Sequence, residues 1–106
     1  MSTIYYDKLV RDKIPEIIRK SGKIAVTSTL NDNDFKQYLI RKLYEETAEF
    51  YESDNVEELA DILEVVRTLA RLKGWRFADL VDLQAKKAVE DGSFSKKILL
   101  LEVREE

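Results

Sequence analysis

The sequence predicts a mainly α-helical domain built on a central antiparallel helix hairpin, with a small two-stranded β element beside it. Three observations predict this. Apolar residues recur at helical spacing on both sides of the short polar turn Ser53-Asp54-Asn55. Residues that favour helix ends sit where those stripes begin and stop. Two segments, 23–30 and 96–103, are β-branched or continuously apolar and read as strands that could pair with each other.

In chain order, Met1 to Tyr6 reads as extended. Asp12 then offers a cap to a short helix that tolerates Pro15 in its first turn, and Gly22 ends it. Ile24, Val26, Thr27 and Thr29 make 23–30 a strand. The cluster Asn31-Asp32-Asn33-Asp34 caps a helix expected from about Asp34 to Glu52. Asp54, with Glu57 three residues on, has the form of a capping box for the next helix, which runs to Gly74. A last helix is expected over about Phe77 to Glu90, stopped by Asp91-Gly92. The tail is dominated by Ile98, Leu99, Leu100 and Leu101 and is read as the second strand, although a continuous apolar run does not by itself separate helix from strand.

The 106 residues fit one domain, 1–106, and such a monomer buries about two-thirds of the surface its unfolded chain exposes. The core is therefore thin, and a second copy would thicken it. Hydrophobic residues make up 44% and charged residues 37%, a globular balance rather than a disordered one. The net charge of -3 argues against a chain whose main work is gripping nucleic acid. With no cysteine and no histidine, thiolate and imidazole catalysis and His- or Cys-bound zinc are excluded. Any metal here is held through oxygen. No apolar run approaches the ~20 residues of a membrane span, and no signal-peptide core is seen, so the sequence reads as soluble and cytoplasmic.

The helical period sorts the acids. At about 100° per residue from Phe35, Leu39, Leu43 and Phe50 form a stripe that contains Glu46, while Glu49 borders it and Glu45 lies further out. In the next helix Leu59, Ile62, Leu63, Val66, Leu69 and Ala70 define a wide apolar arc, with Val65 and Leu72 extending it. Glu58 falls within that arc and Asp61 at its border, whereas Glu57, Glu64, Arg67 and Arg71 fall on the solvated side. Folding the turn between Ser53 and Asp54 sets Glu49 opposite Glu58 and Glu46 opposite Asp61, in rungs about 4.5 Å apart along the axis. Carboxylates about 5 Å apart repel by roughly 3 kcal/mol per pair at an effective dielectric near 20, so such a cluster protonates, admits water or holds cations. Oxygen-only donors suit Mg²⁺, with Mn²⁺ as a substitute, and carboxylate-held Mg²⁺ is a platform for phosphates. The bland alternative is a pair of solvated acidic helix faces.

The same residues carry a resemblance. Glu45-Glu46-x-x-Glu49 followed by Glu58-x-x-Asp61 resembles the acidic signature of MazG-like nucleotide pyrophosphohydrolases, members of the all-α NTP pyrophosphatase superfamily. Lys8-Leu9-Val10-Arg11-Asp12-Lys13-Ile14-Pro15 is similar to the opening of a small phosphoribosyl-ATP pyrophosphohydrolase-like branch, and Lys87 through Gly92-Ser93-Phe94 to its tail, with Ser93 in place of a second glycine. The resemblance spans nearly the whole chain, although the segment between the acidic motifs is shorter than in many MazG proteins. It implies an all-α helical bundle with Glu46, Glu49, Glu58 and Asp61 as Mg²⁺ ligands and a water-orienting role for Glu45. It also implies hydrolysis of a nucleoside triphosphate to monophosphate and pyrophosphate, for nucleotide-pool house-cleaning, by a homodimer or homotetramer. Lys8, Arg11, Lys13 and Lys87 are candidate substrate-binding cations, and Trp75 and Phe77 candidate stacking surfaces; ordinary surface charge and ordinary core are the plain readings of these groups. The alternatives are a phosphoribosyl-ATP pyrophosphohydrolase and a non-catalytic helical assembly or regulatory module of the same fold.

Overall fold

The computed structural model describes residues 2–105 and contains four helices: α1 (Ile14–Lys20), α2 (Asp32–Ser53), α3 (Val56–Leu72) and α4 (Phe77–Asp91). The expected mainly α class holds. The ends of the helices follow from local chemistry, not always at the residue the sequence suggested. Asn31 caps α2, its side-chain oxygen accepting from the Asp34 N–H at 2.9 Å, so that helix begins two residues before the expected Asp34. Asn55 caps α3 by accepting from the Glu57 N–H at 2.9 Å. The expected Asp54–Glu57 capping box does not form, because Asp54 is already used as the left-handed end of α2, at φ 53°. Asp12 does not cap α1 either: Lys13 occupies the cap position with no side-chain bond, and Pro15 sits in the first turn.

Gly74 closes α3. Its φ of +83° lets its N–H reach the Arg71 carbonyl at 2.9 Å while the Trp75 N–H reaches that of Ala70 at 2.9 Å, satisfying carbonyls the helix leaves open. The chain thereby turns into α4, where the Asp79 carboxylate accepts from the Arg76 N–H at 3.4 Å and from its guanidinium at 2.8 and 3.0 Å.

The turn at Asp54 folds α2 back on α3, and this hairpin is the packed centre of the molecule; α4 packs on α3. Among the described residues the buried apolar side chains are Leu39, Val65 and Ala70, one on α2 and two on α3. The arc on α3 is only partly covered, since Leu59 and Leu63 remain exposed.

The two-stranded β element is absent among the described residues. Segments 23–30 and 96–103 carry no regular structure, and Ile24, Val26, Ile98, Leu99, Leu100 and Leu101 are all at least 75% exposed. A strand is stabilised through a ladder and through side chains covered on at least one face. Among the described residues neither segment has a strand beside it, so β-branching and apolarity produce extended chain without a sheet. The molecule is correspondingly elongated, 70 × 32 × 23 Å, with a radius of gyration of 18.9 Å against the roughly 13 Å of a compact chain this long.

Candidate metal centre

The candidate site lies near the turn end of the hairpin, where the facing surfaces of α2 and α3 carry acids. Glu46 is 5% exposed, the one buried charged residue among those described. It stands on the same stripe as buried Leu39, two turns away along α2, which is why the helical period turns it inward. From α3, Glu58 and Asp61 are half-buried and share a face because they are three residues apart. One carboxylate oxygen from each of Glu46, Glu58 and Asp61 lies within 4.8 Å of the other two. Each set of helix contacts thus brings carboxylates, not apolar groups, to the place where the two backbones approach.

Glu49 and Glu45 lie beside this trio. Glu49 is exposed, and its oxygen falls outside the converging set, yet it is close enough for its charge and hydrogen bonding to act on Glu58. Glu45 is half-buried and its carboxylate is 4.0 Å from the Lys42 ammonium.

The electrostatics are unequal. Burial pushes Glu46 toward the neutral acid, but the hydrogen bond and charge of Lys42, whose ammonium lies 3.2 Å from Oε1, outweigh it. With added hydrogen bonding to Glu49 and Glu58, the Glu46 pKa is held below its ordinary value. Glu58 has no cation, and burial, hydrogen bonding to Glu46 and the charge of Glu49 push its pKa up to about 7. Asp61 is covered by the Arg11 guanidinium at 2.7 Å. Even so, no N–H, hydroxyl or cation reaches the buried Glu46 Oε2 and Glu58 Oε2, so any hydrogen bond between these two groups is a proton shared by the carboxyls themselves. A buried carboxylate oxygen with nothing to accept from is costly unless a proton or a cation supplies the missing charge. Several hard oxygen donors, no nitrogen or sulfur ligand, and two oxygens in need of positive charge fit a metal cation held through oxygen.

Against the cluster runs a groove of about 800 Å³ between α1, the segment before it, α2 and α3. Glu46, Asp61 and Lys42 line it together with Phe35, Leu39 and Leu72, and Arg11 and Lys13 line it from the N-terminal segment. Of the other cations singled out from the sequence, Lys8 and Lys87 are exposed and do not line this groove. Trp75 is 44% exposed and lies with Gly74 and Asp79 at a separate shallow depression, while the Phe77 ring receives the Arg67 guanidinium at 5.4 Å. Lys42 was not singled out from the sequence. Its i, i+4 spacing to the inward Glu46 is the signal that marks it.

No family model matches the chain, and no solved structure matches it. A stretch of 47 residues is 49% identical to an uncharacterized protein of Mycolicibacterium smegmatis. That stretch covers 44% of this chain and 48% of the relative, so the chain spans about half the length of the curated relative it matches. Among the described residues no helix is long and apolar enough to cross a membrane.

Proposed function

We propose that this chain is a Mg²⁺-dependent nucleoside triphosphate pyrophosphohydrolase, converting an NTP or dNTP and water to the monophosphate and pyrophosphate in the cytoplasmic nucleotide pool. The observation that carries the reading is the convergence of Glu46, Glu58 and Asp61 within 4.8 Å, with two buried oxygens left unpaired. The likeness of the acidic pattern to the MazG-like signature supplies the substrate class. Glu46, Glu58 and Asp61 would hold the ion, with Glu49 at the margin of the site completing the set. Bound there, Mg²⁺ supplies charge neutralisation for phosphates and acidification of the attacking water.

The chain's own groups supply the rest. Lys42 keeps Glu46 ionised and therefore ready to bind a cation. Glu45, held at 4.0 Å from the same ammonium, is the candidate to orient water and accept its proton. Arg11 and Lys13 bring positive charge to the groove wall, where an anionic phosphate chain would lie. The enzyme would act as a homodimer or homotetramer: Leu59 and Leu63 on α3 stay exposed, and three buried apolar side chains among the described residues are few for a stable monomer.

The test is to incubate the protein with Mg²⁺ and a panel of NTPs and dNTPs, dUTP and deaminated or oxidised forms included, and to resolve monophosphate and pyrophosphate. Glu46→Ala and Asp61→Ala are each expected to lower pyrophosphate release by at least ~100-fold, in line with loss of a metal ligand. Absence of turnover for every nucleotide, together with a thermal midpoint indifferent to Mg²⁺, would leave the non-catalytic assembly module as the reading.

A further inference from the structure

We infer that Arg11 is a built-in competitor for the carboxylate cluster, so that a divalent cation entering the site releases the N-terminal segment from the hairpin. The inference rests on the metal-site reading above and adds to it a linkage between the ion and a part of the chain that is remote in sequence.

The segment before α1 is tied to the hairpin at two points. At the first, the Tyr38 hydroxyl donates to Asp7 Oδ1 at 2.6 Å, and the Arg41 guanidinium contacts the Asp7 carboxylate and carbonyl, each at 3.4 Å. At the second, Arg11 donates to Asp61 Oδ1 at 2.7 Å across 50 positions of sequence. The spacing of these ties matches α2. From Tyr38 to Glu46 the helix rises about 12 Å, and the four steps from Asp7 to Arg11 span at most about 13–14 Å. The segment therefore reaches from a tie beside Tyr38 and Arg41 to a clasp at the acids.

The clasp sits where a metal's charge would sit. Asp61 offers an oxygen within 4.8 Å of those of Glu46 and Glu58, and the guanidinium is in hydrogen-bond contact with that same carboxylate. Arginine cannot escape by losing its proton. Arg11 satisfies Asp61 and Lys42 lies against Glu46, yet the inner oxygens of Glu46 and Glu58 keep no partner, so the cluster can still take a stronger cation. A guanidinium and a divalent ion on one small carboxylate group repel each other, and linkage makes the effect mutual: the ion weakens the clasp and the clasp weakens the ion. Arg11 lines the groove while clasped, and once freed its guanidinium is available to an anionic ligand.

The experiment uses the full chain and Mn²⁺ alone, with no nucleotide. Affinity is measured calorimetrically for wild type, Arg11→Gln and Lys8→Gln; the last removes an equal charge that lies off the groove. Because the Arg11–Asp61 pair is solvent-exposed, Arg11→Gln is expected to bind Mn²⁺ roughly 2- to 5-fold more tightly than wild type, and Lys8→Gln to change less. In wild type, Mn²⁺ is expected to speed tryptic cleavage after Lys8 and Arg11 while slowing backbone hydrogen exchange in α2 and α3 around the acids. Wild-type binding with Arg11→Gln equal to or weaker than it, or with cleavage after Lys8 and Arg11 unchanged or slowed, would overturn the competition and leave the metal site standing. If neither wild type nor Arg11→Gln takes up Mn²⁺, the metal reading and this inference fall together.

Discussion

The turn end of the α2–α3 hairpin and the C-terminal tail are built from opposite materials, and each lies where the other is expected. The hairpin encloses acids: Glu46 is 5% exposed, and Glu58 and Asp61 are half-buried beside it. The tail exposes hydrocarbon: Ile98 to Leu101 form a continuous apolar run with no covering surface. A helix pair buries whatever its facing stripe carries, because the backbone hydrogen bonds are satisfied within each helix and the side chains alone decide the interface. An extended segment has no such autonomy and stays uncovered until a neighbouring chain satisfies it. Charge inside and hydrocarbon outside are both departures from the cheapest arrangement. The first fits the proposed cation site, and the second leaves apolar surface uncovered.

The largest expected stability effect tests the hairpin side of this contrast. Leu39, at 3% exposure the most buried apolar side chain among those described, is expected to cost about 2–4 kcal/mol when changed to alanine. Leu100→Ala should stay within about 0.5 kcal/mol in the dissociated chain, as for other exposed positions. Urea unfolding at several protein concentrations checks both. If Leu100→Ala becomes costly as concentration rises, the tail is covered in an assembly and the contrast between the regions is a property of the single chain only.

The next effect concerns the charge of the cluster. Glu58 has its pKa raised from 4.5 to about 7, so the folded state holds a proton that the unfolded state releases at lower pH. Its ionisation therefore destabilises the fold: without metal, stability should fall as pH rises from about 4.5 to about 7, and the penalty is absent below that window. Glu46, held below its ordinary value, acts in the reverse sense and at the acid end, losing its contribution as pH falls below 4.5. Thermal midpoints across this range should show Glu58→Gln flattening the decline, and Mg²⁺ should reverse it in wild type but not in the variant. An unchanged slope in Glu58→Gln would remove the idea that the cluster is electrostatically strained.

The smallest effect separates the two caps proposed for α3. Asn55→Ala is expected to cost about 1 kcal/mol, since its oxygen accepts from the Glu57 N–H. Asp54→Gly should be neutral or slightly stabilising, because Asp54 holds a left-handed φ of 53° that glycine adopts freely. The reverse ranking would reinstate Asp54 as the cap.

Much of this was legible in the residues. The four helices, the hairpin turn and the inward direction of Glu46, Glu58 and Asp61 follow from a period of 3.6 residues and the few side chains able to start or stop a helix. Neighbouring candidates such as Asn55 and Asp54 were not separable, because the cap is decided by which residue takes the left-handed conformation. The β element failed for a different reason. Residues 23–30 have the composition of a strand, but composition describes what a segment tolerates, and a ladder requires a partner at a fixed distance.

What the sequence by itself determined is local: which stretches are helical, where the chain reverses, and which acids share a face with the core. Those properties depend on interactions within about four residues, and the periodicity carries most of them, though not the exposure of Glu49 or the exact helix ends. The tertiary structure alone decided that Arg11 reaches Asp61 across 50 positions, that Glu49 lies outside the oxygens that converge, and that 23–30 and 96–103 remain unpaired. Contacts of that kind depend on the packing angle and offset of whole elements, which no local pattern encodes. The charge balance of the cluster, with Lys42 on Glu46 and none on Glu58, belongs to both: the first is an i, i+4 spacing within α2, the second a consequence of how α3 lies against it.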